Sequence, residues 1–136
     1  MPLVSNVEDL SDALDTCFTT SSIGSGGRKA DTGKLRYDLL PTRALEALVY
    51  VYSIGAGKYA DRNWERGLEY GRVFAAMQRH AWAWWGGQEY DPVDGQAHLA
   101  SVAWCALALL HYSLHPGEYD EFDNRPPRLE SVEYHA

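Results

Sequence analysis

The stretch HLASVAWCALALLHYSL, residues 98–114, decides the fold class. It is apolar on nearly all sides when wound as a helix, so it predicts a helix from about Gln96 to Leu114 at the centre of the molecule. Nowhere does the chain alternate apolar and polar residues over any length, as a half-exposed strand would. The sequence therefore predicts an all-α fold, a small helical bundle.

Two more helices are expected before the central one. The segment RALEALVYVYSIGAGKY, residues 43–59, has one apolar face at helical spacing, and Thr42 is a candidate cap for it. That face consists of Leu45, Leu48, Val49, Tyr52 and Ala56. A second helix is expected from about Tyr70 to Trp85, stopped by Gly86-Gly87. Between them, GAGKYADRNWERG, residues 55–67, contains three glycines and predicts an irregular segment.

Composition changes mark three regions of the chain. Residues 1–27 combine a short amphipathic stretch with a Ser/Gly-rich run that is typical of a flexible linker. Residues 28–115 hold the predicted helical domain. Residues 116–136 form an acidic tail with prolines, which we expect to pack loosely or to be extended.

Length and composition limit the possible classes of protein. The 136 residues suffice for one domain with a real core, and 46% hydrophobic against 23% charged residues is a globular balance. No apolar run would span a bilayer and no leader peptide is recognisable, so we expect no membrane partner and a cytoplasmic protein, in the host cytoplasm if phage-encoded. Cys17 and Cys105 give no disulfide framework.

The charge is unevenly distributed along the chain. A net charge of −7 argues against a partner that is a nucleic acid polymer. Ten of the 12 cations nevertheless lie between Arg28 and Arg79. This segment could hold a compact polyanion such as a nucleoside triphosphate, although for any single cation a solvated helix charge is the simpler interpretation.

The stretch RHAWAWWGGQEYDPVDGQAH, residues 79–98, is the candidate metal site. Two antiparallel helices joined by a short turn would bring His80 and His98 onto facing surfaces, with Glu89, Asp91 and Asp94 nearby. Such mixed nitrogen and oxygen donors suit Mg²⁺, Mn²⁺ or Co²⁺. The structural alternative is that Asp94 caps the third helix and His98 merely lies in its first turn, and for Asp94 we predict the cap.

Two other segments are candidate nucleotide contacts. In KYADRNWERG, residues 58–67, Lys58 and Arg62 could bind phosphates, Asn63 offers an amide, and Trp64 could stack on a base. From these residues alone an exposed turn anchored by Trp64 is the better interpretation. KADTGKLRYDLLP, residues 29–41, looks like a phosphate-contacting arm but lacks the glycines of a Walker loop.

Taken in order, four segments resemble the phage dATP/dGTP diphosphohydrolase family, a MazG-like branch of the all-α nucleotide pyrophosphatases. The resemblance covers about residues 28–112. The matching residues are Lys29, Asp31, Gly33, Lys34 and Arg36; Gly55, Ala56, Lys58, Tyr59, Arg62, Asn63 and Trp64; Arg79 and His80; and Asp91, Gly95, His98 and Leu99.

The resemblance implies metal-dependent hydrolysis of a purine deoxynucleoside triphosphate, dGTP or dATP, to the monophosphate and pyrophosphate. In some phages such an activity supplies dGMP for making 2-aminoadenine nucleotides. The implied catalytic residues are Asp91, His80 and His98. The implied metal ligands are His80, Glu89, Asp91 and His98, with Glu65 the next acid to consider. The implied substrate-binding residues are Lys34, Arg36, Lys58, Arg62, Asn63, Trp64 and Arg79.

The chain departs from the wider MazG pattern in its acids. That pattern has E-x-x-E on one helix and E-x-x-D on the next, whereas here His80 and His98 stand in roughly those places. Gln88 stands where a glutamate is expected and Cys105 where an asparagine is expected. These departures leave open a non-catalytic helical protein that binds a nucleotide or a host partner. An HD-type phosphohydrolase would need an adjacent His-Asp pair, which the chain does not contain.

The tryptophans predict self-association. Three helices are few for burying the side chains of Trp82, Trp84, Trp85 and Trp104, and large exposed apolar patches usually mark an interface. MazG-like proteins are typically dimers or tetramers. We therefore expect a homo-oligomer in which the tryptophan-rich side of the second helix meets a partner.

Overall fold

The computed structural model describes residues 26–127, and all the helices and turns below belong to that part of the chain. The chain divides at Pro41 into two units. The second unit contains the three α-helices α1 (Thr42–Lys58), α2 (Tyr70–Trp85) and α3 (His98–Ser113). The second unit also contains the short 3₁₀ helices Asn63–Arg66 and Asp120–Phe122, and the first unit contains the 3₁₀ helix Tyr37–Leu39. The predicted all-α class is confirmed; the predictions for Cys17 and the N-terminal amphipathic stretch lie outside the described residues.

Helix α3 is the centre of the second unit, as its apolar sequence predicts. It carries six buried residues, whereas α1 carries none and α2 carries only Val73. Helices α1 and α2 both pack on α3 and make few contacts with each other. An amphipathic helix needs an apolar partner for one face, and here one shared partner serves two helices. The space between α1 and α2 therefore stays open.

The end of α2 is fixed by the glycine pair that predicts it. Gly87 adopts φ 100°, a left-handed conformation that glycine takes without a steric penalty. The N–H of Gly87 bonds to the carbonyl of Trp84 at 3.0 Å, and the N–H of Gln88 bonds to that of Ala83 at 3.0 Å. This pair of bonds is a Schellman motif, which reverses the chain sharply and gives Gln88 a defined position beside the helix end.

The prediction that residues 55–67 are irregular is wrong for the first part of this segment. Helix α1 continues through Gly55 and Gly57 to Lys58. Two glycines near a helix end cost about 1 kcal/mol each relative to alanine, which the hydrogen bonds and packing of a 17-residue helix can offset. The irregular conformation begins afterwards: Arg62, with φ 56°, is the non-glycine residue with positive φ within residues 26–127.

The start of the C-terminal tail is packed, contrary to expectation. Tyr119 is buried, its ring lies 4.5 Å from that of Tyr112, and Phe122 packs against the same core cluster. The Asn124 side-chain oxygen accepts a hydrogen bond from the N–H of Gly71 at 2.7 Å. Aromatic residues scattered among prolines and acids show no helical or strand period, which is why the sequence concealed this packing.

In the first unit, the described residues include a turn and the 3₁₀ helix Tyr37–Leu39. The guanidinium of Arg36 makes a bidentate pair with the carboxylate of Asp38, both bonds being 2.7 Å. Among the described residues, no helix has the length and hydropathy needed to cross a membrane.

Candidate active site

The loop between α2 and α3 is a closed hairpin that fixes Asp91. Tyr90 and Ala97 form an antiparallel bridge, and the N–H of Asp91 bonds to the carbonyl of Gln96 at 2.7 Å. The carbonyl of Asp91 accepts the N–H of Gly95 at 2.8 Å, and one carboxylate oxygen accepts the N–H of Val93 at 2.9 Å. The backbone thus holds Asp91 from both sides, while its second carboxylate oxygen makes no such bond.

This hairpin brings together the three residues that the sequence predicts as catalytic. His80 from α2, Asp91 from the loop and His98 from α3 each offer a ligand atom, and these atoms lie within 4.8 Å of one another. The Nδ1 atoms of the two imidazoles are 2.9 Å apart. His98 is buried, while His80 and Asp91 are half-buried, so the cluster is sheltered but reachable. We call these three residues the His-Asp-His cluster.

The cluster leaves out two acids that the sequence placed nearby. Glu89 is exposed and is not part of the His-Asp-His cluster, although its backbone carbonyl accepts the N–H of His98 at 3.0 Å. Asp94 does not cap α3: its carboxylate accepts the N–H of Gln96, and the N-cap residue, Ala97, has no side-chain cap. The hairpin turn closes three residues before the helix begins, which keeps Asp94 from reaching the first-turn N–H groups.

Burial and neighbouring charge favour the neutral form of His80. Burial lowers the pKa of its imidazole, and the adjacent His98 lowers this pKa further. The carboxylates of Asp91 and Asp94 act in the opposite direction but do not cancel the effect. A neutral imidazole keeps a lone pair, which is what a metal ligand or a general base requires.

The donor set fits a divalent transition-metal ion. Two ligands at right angles around an ion, each about 2.1 Å from it, lie about 3 Å apart, close to the observed separation of the two Nδ1 atoms. Imidazole nitrogen suits Mn²⁺ or Co²⁺ better than Mg²⁺, which prefers oxygen. The cluster could therefore hold one ion through two nitrogens and one carboxylate oxygen.

An open cavity of about 820 Å³ lies between α1 and α2, over Trp104 of α3. Small residues leave this room: Gly55 and Ala56 on α1, Ala75 and Ala76 on α2, and Ala60 just after α1. Four residues predicted to bind substrate line the cavity, namely Arg62, Asn63, Trp64 and Arg79. Lys58 does not line it, nor do the three residues of the His-Asp-His cluster. Arg79, which lines the cavity, directly precedes His80 of the cluster on α2.

Sequence reasoning missed Arg72, which also lines the cavity. Arg72 and Arg79 are seven residues apart, two helical turns, so they lie on the same face of α2. That spacing was readable from the sequence once α2 had been placed. Arg62 forms a salt bridge with Glu65 at 2.8 Å, whereas within residues 26–127 neither Arg72 nor Arg79 forms one. The positive charge available to a ligand is therefore concentrated on the α2 wall.

The part of the cavity wall around Trp64 is aromatic, and two buried tyrosines hold it. The hydroxyl of Tyr112 donates to the carbonyl of Trp64 at 2.7 Å, and that of Tyr119 donates to the carbonyl of Glu65 at 2.7 Å. The ring of Trp64 packs edge-on against Tyr52, with centroids 5.9 Å apart. Trp64 thus anchors its turn to the core, as the structural alternative held, and also forms part of the cavity wall.

The two remaining predicted substrate contacts belong to the first unit. Lys34 and Arg36 are both exposed, and Arg36 is occupied by Asp38. Their approach to a nucleotide stays a prediction.

Comparison with known families gives one match. The family model described as dATP/dGTP diphosphohydrolase, N-terminal, matches residues 24–124. Comparisons with curated proteins and with solved structures give no significant match. The matched region contains both units of the described chain, the His-Asp-His cluster and the whole cavity.

Proposed function

The chain belongs to the dATP/dGTP diphosphohydrolase family, and from that premise we propose that it hydrolyses dGTP or dATP to the monophosphate and pyrophosphate. The observation that supports the proposal is that α2 carries both His80 of the metal-ligand cluster and, directly before it in the chain, Arg79 of a cavity lined by arginines and aromatic residues. A nucleotide needs the cavity, and cleavage of its anhydride bond needs the cluster.

His80, Asp91 and His98 would hold the metal ion, since Glu89 lies outside the cluster and Glu65 is paired with Arg62. A bound divalent ion supplies charge stabilisation at the α-phosphoryl group and a water of lowered pKa. The donor set favours Mn²⁺ or Co²⁺ over Mg²⁺. The backbone bonds of Asp91 keep its carboxylate oriented without help from substrate, so the site is preorganised.

The cavity would bind the nucleotide in one orientation. Its volume of about 820 Å³ is in the range of small-molecule sites, about 300–1,000 Å³. Trp64 and Asn63 at one end suit a purine, through stacking and through the amide. Arg72 and Arg79 at the α2 wall form no salt bridge within residues 26–127, so they suit the triphosphate. In this proposed orientation the base would lie at Trp64 and the phosphates at Arg79, which precedes His80 on α2.

Lys34, Arg36 and Lys58 complete the proposed set of phosphate contacts. Arg62, already paired with Glu65, would act mainly on the shape of the aromatic end. The product dGMP would be available for 2-aminoadenine nucleotide synthesis, the role implied by the phage members of the family.

Product analysis tests the proposal. Purified protein is incubated with dGTP and, separately, dATP, with Mn²⁺, Co²⁺ or Mg²⁺ present, and nucleotides and phosphates are separated. We expect dGMP or dAMP plus pyrophosphate, with Mn²⁺ or Co²⁺ more effective than Mg²⁺. Asp91→Asn should abolish turnover, while Glu121→Gln, an exposed acid of the last 3₁₀ helix, should behave as wild type. Orthophosphate plus the diphosphate, or no turnover with any metal, would contradict the proposal.

A further inference from the structure

We propose that Gln88 is a positioning residue of the metal site, because its side-chain oxygen holds His98 in the tautomer with the proton on Nε2. His98 can then offer only Nδ1 to a metal ion. The role of these tautomers in metal binding rests on the proposed function. The tautomers themselves are inferred from contacts among the side chains of Gln88, His98 and His80.

The first contact joins Gln88 to His98. The Oε1 atom of Gln88 lies 2.7 Å from Nε2 of His98, and a carboxamide oxygen can only accept. Nε2 must therefore carry the hydrogen. His98 is only 4% exposed, so water offers little alternative to this bond. The Schellman turn at Gly86-Gly87 places Gln88 at this point, which ties the tautomer of a helix α3 residue to the end of α2.

The second contact, between the two imidazoles, determines which nitrogen of His80 carries the proton. With Nε2 of His98 protonated in the neutral ring, Nδ1 of His98 holds a lone pair. Nδ1 of His80 is 2.9 Å away, so it must donate, and the proton of His80 lies between the two rings. Nε2 of His80 then holds the free lone pair. One glutamine oxygen thereby sets the proton positions on both imidazoles.

The tautomers determine how the site can load a metal ion. His98 already presents a lone pair at Nδ1 and needs no change. His80 must either move its proton from Nδ1 to Nε2 or turn its ring to present Nε2. We expect His98 to keep its tautomer on loading and His80 to be the residue that adapts. Partners that orient ligating histidines typically change metal affinity about 10–100-fold when removed.

Substitutions at position 88 test whether the side chain of residue 88 controls the His98 tautomer. Gln88→Glu keeps an oxygen acceptor and adds negative charge, so it should preserve the His98 tautomer and bind metal at least as tightly. Gln88→Ala removes the acceptor, so His98 should populate both tautomers and metal affinity should fall about 10–100-fold. Gln78→Ala is the matched control, since Gln78 is half-buried on α2 and makes no hydrogen bond with the other described residues.

The test is nitrogen-15 NMR of histidine-labelled, metal-free protein at a pH where the rings are neutral, followed by titration with Zn²⁺ as a diamagnetic probe. We expect Nε2 of His98 and Nδ1 of His80 to be protonated in the metal-free protein. On zinc binding, the Nδ1 resonance of His98 should shift through coordination while Nε2 of His98 keeps its proton, and His80 should be the ring that changes its proton position or its orientation. A proton on Nδ1 of His98 in the wild type would overturn the inference, and this measurement needs no variant to fold. An unchanged tautomer and unchanged zinc affinity in Gln88→Ala would overturn it too. The NMR experiment contains no nucleotide, so a wrong tautomer would leave the proposed hydrolysis untouched. If the tautomers are as expected but the protein does not hydrolyse dGTP or dATP, only the proposed function is contradicted.

Discussion

At the scale of single residues, the molecule separates charges that are already occupied from charges that remain available. Arg36, Arg62 and Arg125 each form a short salt bridge with a nearby carboxylate. Arg72 and Arg79 form none with the other described residues, yet both line the cavity. An arginine that lacks a carboxylate partner and faces a cavity is a stronger candidate for phosphate binding than an arginine already paired at the surface.

Removing either of these arginines should therefore weaken catalysis. Arg72→Met and Arg79→Met each remove a charged donor to the triphosphate, a contact typically worth about 1.5–3 kcal/mol, so kcat/KM for dGTP should fall about 10–100-fold. Steady-state kinetics measures the change. Arg66→Met serves as control, since Arg66 is exposed and does not line the cavity. Equal kcat/KM values in all three variants would show that the triphosphate does not bind to Arg72 and Arg79.

Cys105 illustrates a reactive group made inert by position. Its side chain is 2% exposed, and burial raises the pKa of the thiol to about 11. In a Cys17→Ser variant, an aromatic disulfide reagent near neutral pH should react slowly with the native protein and rapidly after denaturation, because the thiolate is the nucleophile. Since the folded pKa lies above the ordinary one, stability should be lost as pH rises through the range between them. Fast labelling of native protein would show that Cys105 is accessible.

At the scale of elements, the cavity depends on how the turn after α1 is fastened. The 3₁₀ helix Asn63–Arg66 has no buried residue of its own. Two tyrosine hydroxyls hold its carbonyls, one from α3 and one from the C-terminal segment. The tail that the sequence predicts to be loose thus stabilises a wall of the candidate substrate site.

The Tyr112 bond can be tested by stability. Tyr112 is 1% exposed, and Tyr112→Phe would leave the carbonyl of Trp64 without its donor while keeping the ring. We expect the free energy of unfolding to fall by about 1–3 kcal/mol, measured by chemical denaturation. Tyr50→Phe, which removes a hydroxyl from an exposed position on α1, should change it little. Identical midpoints for both variants would mean that the bond contributes nothing.

At the scale of the whole molecule, the second unit leaves much apolar surface uncovered. On α2 the side chains of Trp82 and Trp85 are 68% and 75% exposed, while Trp84 is half-buried. Phe74, on the same helix, is 53% exposed. Apolar surface of this kind on a folded chain is typical of an interface, and it agrees with the predicted tryptophan-rich contact between copies.

Light scattering should therefore give a mass that is a multiple of 15.3 kDa. The double variant Trp82→Ser/Trp85→Ser should shift the protein toward the monomer, because it removes the largest exposed apolar side chains of α2. Val93→Ser, at an exposed loop position, should leave the mass unchanged. A wild-type monomer at all concentrations would overturn the predicted homo-oligomer.

The sequence by itself determined the features that follow the helical period of apolar residues or that end a helix. Residues 98–114 predicted the central helix because apolar residues on all sides require burial on all sides. Gly86-Gly87 predicted the end of α2. The predicted hairpin made a meeting of His80, Asp91 and His98 one of two open interpretations, and the family resemblance favoured it. The first two of these inferences need only local period and turn chemistry, which the sequence carries directly.

Only the tertiary structure decided the features that arise where two helices do not touch or where segments distant in the sequence meet. The cavity exists because α1 and α2 share α3 and scarcely touch each other, which no local pattern reports. Tyr119 lies 54 residues from the carbonyl it binds, and Arg72 is a site candidate because it lines a space that forms only when three helices pack. Local propensity is a property of neighbours along the chain, whereas a cavity and its walls are properties of packing.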